Sequence, residues 1–183
     1  MNAGPILAGT LLAAGVLLIV ARRQGVTLDA EPDPVEEIGI VDTVKQKMGL
    51  WHPPQKYAAA IAAAEVAHGL PVDLLARLLW QECRYREDII TGRVKSAAGA
   101  MGIAQFMPAT AAEMGIDPLD PFAAIDAAAR YLASLYRRFG AWDLALAAYN
   151  WGQGNLARKG LGAAPAETVR YYSQILSDIG DIA

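Results

Sequence analysis

From Gln55 onward the chain alternates helix-favouring runs with glycine and proline stops, and this punctuation constrains the fold more than any other feature of the sequence. A first run covers Gln55 to His68, and Gly69 follows it as a left-handed terminator. Pro71 suits the first turn of a second helix reaching about Arg84. Pro108 opens a short helix that stops at Gly115, and Asp120-Pro121 caps a long one ending before Gly140. In the long helix Phe122, Ile125, Ala129, Leu132, Leu135 and Phe139 fall on one apolar stripe. Further helices are expected from Asp143 to about Tyr149 and from Ala166 to about Ile179, with a glycine-rich connection between about Thr91 and Gly102. Alanine, the best helix former, supplies 36 of the 183 residues. No segment alternates like a strand, although Ile89-Ile90 and Val94 leave room for one small hairpin. The expected fold class is all-α, and a segment of about 125 residues is long enough to bury its own core.

The N-terminal part reads differently. Ala3 to Ala21 is a 19-residue stretch without a charge, close to the length of about 20 residues that a membrane-spanning helix needs. A cleaved secretory signal is the competing reading, but no basic residue precedes the apolar run. Residues 1–23 are therefore expected to form a single transmembrane helix, with the lipid bilayer as partner through residues 3–21. Arg22 and Arg23 favour retention of the following domain on the cytoplasmic side. Residues 24–54 read as a linker rich in acids and proline, extended around Pro32 and Pro34, then a short amphipathic helix carrying Ile40, Val41, Val44 and Met48. Pro53-Pro54 marks the boundary to a domain spanning residues 55–183.

Charge and cysteine content narrow the function. The formal net charge is −3, from 16 basic and 19 acidic residues, so no nucleic-acid partner is expected. One cysteine rules out an internal disulfide, and with only two histidines, His52 and His68, no metal site is expected. No organic cofactor is implied either. Chemistry carried by carboxylates remains open.

Glu82 is the carboxylate that the pattern singles out. It lies four residues after Leu78 and three after Leu79, so it extends the apolar face of the second helix. Desolvation there would raise its pKa and fit it to act as a general acid near neutral pH. The spacing leaves a second reading open, a surface glutamate at the helix end paired with Arg84 or Arg86.

Four segments, in this order, resemble the catalytic domain of the soluble lytic transglycosylases: Glu82-Cys83-Arg84-Tyr85, Gly99 through Ala111, Ala148-Tyr149-Asn150-Trp151-Gly152, and Pro165 through Tyr171. The resemblance covers roughly residues 55–179. It implies a lysozyme-like, mostly helical fold and a reaction on peptidoglycan glycan strands. Cleavage between N-acetylmuramic acid and N-acetylglucosamine would leave a 1,6-anhydro ring, with one carboxyl group acting first as acid and then as base. On this resemblance Glu82 is the catalytic residue, and Gln105, Tyr149, Asn150, Glu167 and Tyr171 are substrate-binding residues around the cleft. Trp142 and Trp151 are expected to pack rather than to form sugar platforms. Departures from the family pattern are Cys83 where serine is usual, Ala104 where many members have methionine, Val169 where many have arginine, and a longer connection from Tyr85 to Gly99.

Peptidoglycan lies outside the inner membrane, whereas the arginines after the apolar run favour an inside domain. Delivery from outside resolves the conflict, so a phage virion protein that opens the wall during genome ejection is the expectation, with other tail or portal proteins or further copies of the chain as partners. The alternatives are a cellular membrane-anchored wall-remodelling enzyme on the periplasmic face and a catalytically retired structural virion protein.

Overall fold

The structure is a computed structural model, and it describes residues 51–180. The apolar run at 3–21, the acidic linker and the short helix expected near residues 40–48 lie outside the described residues. Among the described residues no helix is long and apolar enough to cross a membrane.

The described chain is helical, with a single isolated antiparallel bridge and no sheet. Helix α1 spans Gln55–His68 and stops at Gly69, whose φ of 67° is left-handed. Helix α2 spans Leu74–Cys83, and α3 is one turn, Glu87–Ile90. Helix α4 covers Pro108–Met114, α5 Pro121–Phe139, α6 Trp142–Trp151, α7 Gln153–Lys159 and α8 Ala166–Ile179, with a 3-10 turn at Leu161–Ala163. The central α5 packs on α1 and α6, and α8 packs on α6 and α2. Asp120 caps α5 by accepting from the backbone N–H of Phe122 and Ala123 at 3.0 and 3.2 Å.

The alanine content has a packing role. Ala124, Ala127, Ala128 and Ala129 of α5 and Ala145, Ala147 and Ala148 of α6 have no exposed surface. Side chains this small let neighbouring helix axes approach closely. Leu74, Leu75, Leu78 and Leu79 of α2 are equally buried, so the helix that carries Glu82 is anchored along its apolar face.

Several expectations need correction. Helix α2 begins at Leu74 rather than near Pro71, because Pro71 starts a turn and Asp73 takes a left-handed φ of 70°. Its opening N–H groups are satisfied from another helix: the carboxylate of Glu65, on α1, accepts from the backbone of Asp73, Leu75 and Ala76 at 3.1, 2.9 and 3.3 Å. The hairpin expected at Ile89-Ile90 and Val94 is absent. The helical turn α3 takes its place, closed by bonds from Thr91 Oγ1 to the Glu87 carbonyl at 2.7 Å and from the Val94 N–H to the Asp88 carbonyl at 2.9 Å. Phe122 leaves the α5 core stripe and is 54% exposed, its ring meeting Tyr57 edge-on at 5.8 Å. Helix α6 extends past Tyr149 to Trp151, and α7 follows it after a single glycine.

Glu65 is 6% exposed, and burial raises its pKa against the opposing pull of its three N–H bonds. Glu65→Ala leaves the buried N–H groups of Leu75 and Ala76 and the half-buried one of Asp73 without an acceptor and is expected to lower stability by roughly 2–4 kcal/mol. Urea titration of the full chain should show a lower midpoint, with Glu65→Gln falling between the wild type and the alanine variant.

Candidate active site

Glu82 sits in the last turn of α2, partly accessible at the edge of an open hollow. The helix ends one residue later because Arg84 and Tyr85 both adopt left-handed φ values, 53° and 52°. Neither is glycine, so each holds a sparsely populated conformation beside the acid. Their side chains explain the turn: Arg84 lies 3.4 Å from the Trp80 ring centroid, and the Tyr85 hydroxyl donates to the Ala76 carbonyl at 2.8 Å.

Across the hollow, Tyr171 of α8 donates its hydroxyl to Glu82 Oε1 at 2.5 Å. Burial pushes the Glu82 carboxyl up to about 7, with the Tyr171 bond pulling the other way. Tyr171 is itself 5% exposed, and burial with the nearby carboxylate drives its pKa well up, so the phenol stays a donor. Near neutral pH Glu82 therefore populates both its acid and its base form, as a group that must give and regain a proton requires.

The hollow has a volume of about 310 Å³ and brings together Glu82, Asn150, Glu167 and Tyr171. Asn150, at the end of α6, is exposed, and its Oδ1 accepts from the Thr168 hydroxyl at 2.8 Å. That bond turns the Asn150 amide nitrogen away from Thr168. Glu167 is an exposed carboxylate in the first turn of α8, so it also suits the helix dipole. Gln81, Arg170 and Gln174 complete the lining, and none of them stood out in the sequence.

Tyr149 and Gln105 lie outside that lining. The Tyr149 hydroxyl donates to the Ala104 carbonyl at 3.0 Å, and its ring packs against Phe106 and Tyr131. Burial, and after it the charge of Glu82, raises the Tyr149 pKa. Gln105 has a left-handed φ of 49° and folds its Nε2 back onto the Gly102 carbonyl at 2.8 Å. The loop carrying it is pinned by reciprocal Met101 and Phe106 backbone bonds of 3.1 Å. It is pinned again at Gly102, with φ 75°, where a Cβ would come within 1.8 Å of the Pro118 carbonyl oxygen. Tyr149 thus clamps the Gln105 loop to α6, one residue from Asn150.

Cys83, in the place where serine is usual, is 1% exposed and bonds to the Leu79 carbonyl of its own helix at 3.4 Å rather than to Glu82. Burial pushes its thiol up to about 11, far from a reactive thiolate. A second hollow of about 760 Å³, beside Tyr136, Trp142 and Tyr172, contains none of the expected site residues. Trp142 stacks on Tyr136 with centroids 4.0 Å apart, and Trp151 packs partly buried against the core. Among the described residues, no three His, Cys, Asp or Glu side chains stand close enough to hold a metal ion.

Comparisons with known proteins align with this geometry. Residues 59–168 match the family pattern described as "Transglycosylase SLT domain". The "Peptidoglycan transglycosylase gp16" of Escherichia phage T7 is 34% identical over 142 residues, which covers 69% of this chain and 10% of that protein. The "Membrane-bound lytic murein transglycosylase F 2" of Alkalilimnicola ehrlichii is 32% identical over 130 residues, covering 67% of this chain and 28% of that protein. The chain thus aligns with a tenth of the length of the first relative and under a third of the second. The 70 kDa soluble lytic transglycosylase of Escherichia coli superposes over 69% of this chain and 24% of its own, with a TM-score of 0.57 and 26% identity. An inactive mutant of lytic transglycosylase Slt from Pseudomonas aeruginosa gives a TM-score of 0.56 at 24% identity over the same shares, a likeness of fold. The mostly helical, lysozyme-like architecture is therefore that of the SLT fold.

The raised Glu82 pKa makes a stability prediction. The fold favours the protonated carboxyl, so this contribution is complete below about pH 4.5 and is lost as pH rises through about 7. Glu82→Gln cannot ionise and still offers Tyr171 an acceptor. It is expected to be more stable than wild type at pH 8 by about 3 kcal/mol, the worth of a shift of this size. Denaturant titrations at pH 4 and pH 8 should show the gain only at the higher pH.

Proposed function

The chain belongs to the transglycosylase SLT domain family, and on that premise we propose that it is a lytic transglycosylase that cleaves peptidoglycan glycan strands with Glu82 as its acid and base. The observation that carries this reading is a desolvated carboxyl, held near pKa 7, at the edge of an open hollow. Protonated Glu82 gives its proton to the glycosidic oxygen as the bond from muramoyl C1 to that oxygen breaks. The resulting carboxylate then takes the proton of the muramoyl 6-hydroxyl, whose oxygen bonds to C1 and closes the 1,6-anhydro ring. The acid is regenerated and no water is consumed.

This course needs only one carboxyl group, and the influences on that of Glu82 are burial and a phenol. Retaining glycosidases hold a second carboxylate about 5–5.5 Å from the acid. Glu167, the other carboxylate lining the hollow, is exposed and suits substrate contact. In this reading Asn150 and Glu167 bind the glycan directly and Tyr171 lies beside the sugar with its hydroxyl on Glu82, while Tyr149 and Gln105 shape the wall through the Gly102 to Phe106 loop.

The phage relative supports delivery by a virion that breaches the wall during genome ejection, which also resolves the orientation conflict set by Arg22 and Arg23. A cellular, membrane-anchored enzyme is the second reading, favoured by the membrane-bound bacterial relative and the apolar run at residues 3–21. A retired structural protein is disfavoured, because it would have no need for an acid kept out of solvent at a cost in stability.

Mass analysis of sacculi digested by the full chain separates these chemistries. Anhydro-muropeptides are expected from the wild type, with Glu82→Gln lowering the rate by at least about 1,000-fold. Reducing-end muropeptides would mean hydrolysis, and no release at all would mean a structural role.

A further inference from the structure

Arg77 stands in the middle of α2 at 2% exposure, a buried cation that the proton transfers of Glu82 do not use. Its Nε donates to Asp178 Oδ2 at 2.6 Å and its Nη1 to Gln81 Oε1 at 2.8 Å, and its guanidinium lies 4.6 Å from the Trp80 ring centroid. Asp178 belongs to the last turns of α8, so the guanidinium joins the two helices that carry Glu82 and Tyr171. A guanidinium only donates, which forces the Gln81 side-chain oxygen toward Arg77 and its NH2 group to the opposite side. One of those N–H groups reaches Gln174 Oε1 at 3.5 Å, and both glutamines line the hollow. The second N–H makes no hydrogen bond to the protein among the described residues, on a side chain that lines the hollow.

We propose that Arg77 is a positioning residue for the hollow: by pairing with Asp178 and Gln81 it locks the Gln81 amide with its nitrogen outward, as a fixed donor to an acceptor oxygen, hydroxyl or carbonyl, of an amino-sugar ring. The proposal rests on the reading that the hollow takes glycan. Lysine cannot replace arginine in this task, because a single ammonium does not span two separately placed acceptors as the planar fork does.

A double-mutant cycle on soluble peptidoglycan strands tests it. Gln81→Leu is expected to raise KM about tenfold, the worth of one hydrogen bond, with kcat within about twofold. Arg77→Lys should retain the link to Asp178 and the folded state yet show the same KM defect, and the double variant should be no worse than either single one. A purely structural Arg77 would be rescued by lysine. Normal KM in folded Arg77→Lys, or KM effects that multiply in the double variant, would overturn the proposal. A second measurement does not depend on turnover: the Gln81 side-chain amide, followed by nitrogen-15 relaxation, should be ordered in the wild type and mobile in Arg77→Lys. Equal order in both overturns the positioning role. Absence of cleavage by the wild type, with the amide behaving as expected, counts against the enzymatic reading alone.

Discussion

The bond from the Tyr171 hydroxyl to the Glu82 carboxyl joins the end of α2 to the middle of α8, and the proposed chemistry depends on it. The two residues are 89 positions apart, so only the packed helices bring them together. Burial alone would favour a permanently protonated carboxyl, whereas a fully solvated one would be permanently ionised. The phenol supplies one donor inside a desolvated setting and holds the group between those limits. Everything nearby serves to keep that geometry: the leucines under α2, the Glu65 carboxylate at its start, and the Arg77–Asp178 pair that ties it to α8.

The local conformations around the acid run against ordinary preferences. Arg84, Tyr85 and Gln105 all take left-handed backbone angles without being glycine, and Gly102 sits where no Cβ fits. Such positions are stabilised only by surrounding contacts, here the Trp80 ring, the Ala76 carbonyl, the Gly102 carbonyl and the Pro118 segment. A desolvated carboxylate adds to the same burden above neutral pH.

What the sequence made legible follows from how local each cause is. Gly69, Gly115 and Gly140 end their helices because left-handed C-terminal geometry favours glycine, and Asp120 caps its own helix. Glu82 was legible because its spacing from Leu78 and Leu79 is a property of one helix. The start of α2 was not, since the acceptor for its N–H groups is a glutamate on the preceding helix. Ile89-Ile90 has strand-like chemistry but is bent into a helical turn by bonds from Thr91 and Val94. Asn150, Glu167 and Tyr171 converge on Glu82 through the packing of α8, which periodicity does not report. Resemblance to a family nominated them; Thr168 and Arg170 lie in the same Pro165 to Tyr171 segment without being singled out, and Gln81 and Gln174 lie outside the resembling segments.

The proposed chemistry depends on the ionisation of one side chain. Carbon-13 titration of the Glu82 carboxyl in the full chain, assigned by comparison with Glu82→Gln, reads it directly. A midpoint near 7, rising further in Tyr171→Phe as the lost donor predicts, agrees with the desolvated acid described above. A midpoint at the ordinary glutamate value near 4.5, unmoved by Tyr171→Phe, would contradict it.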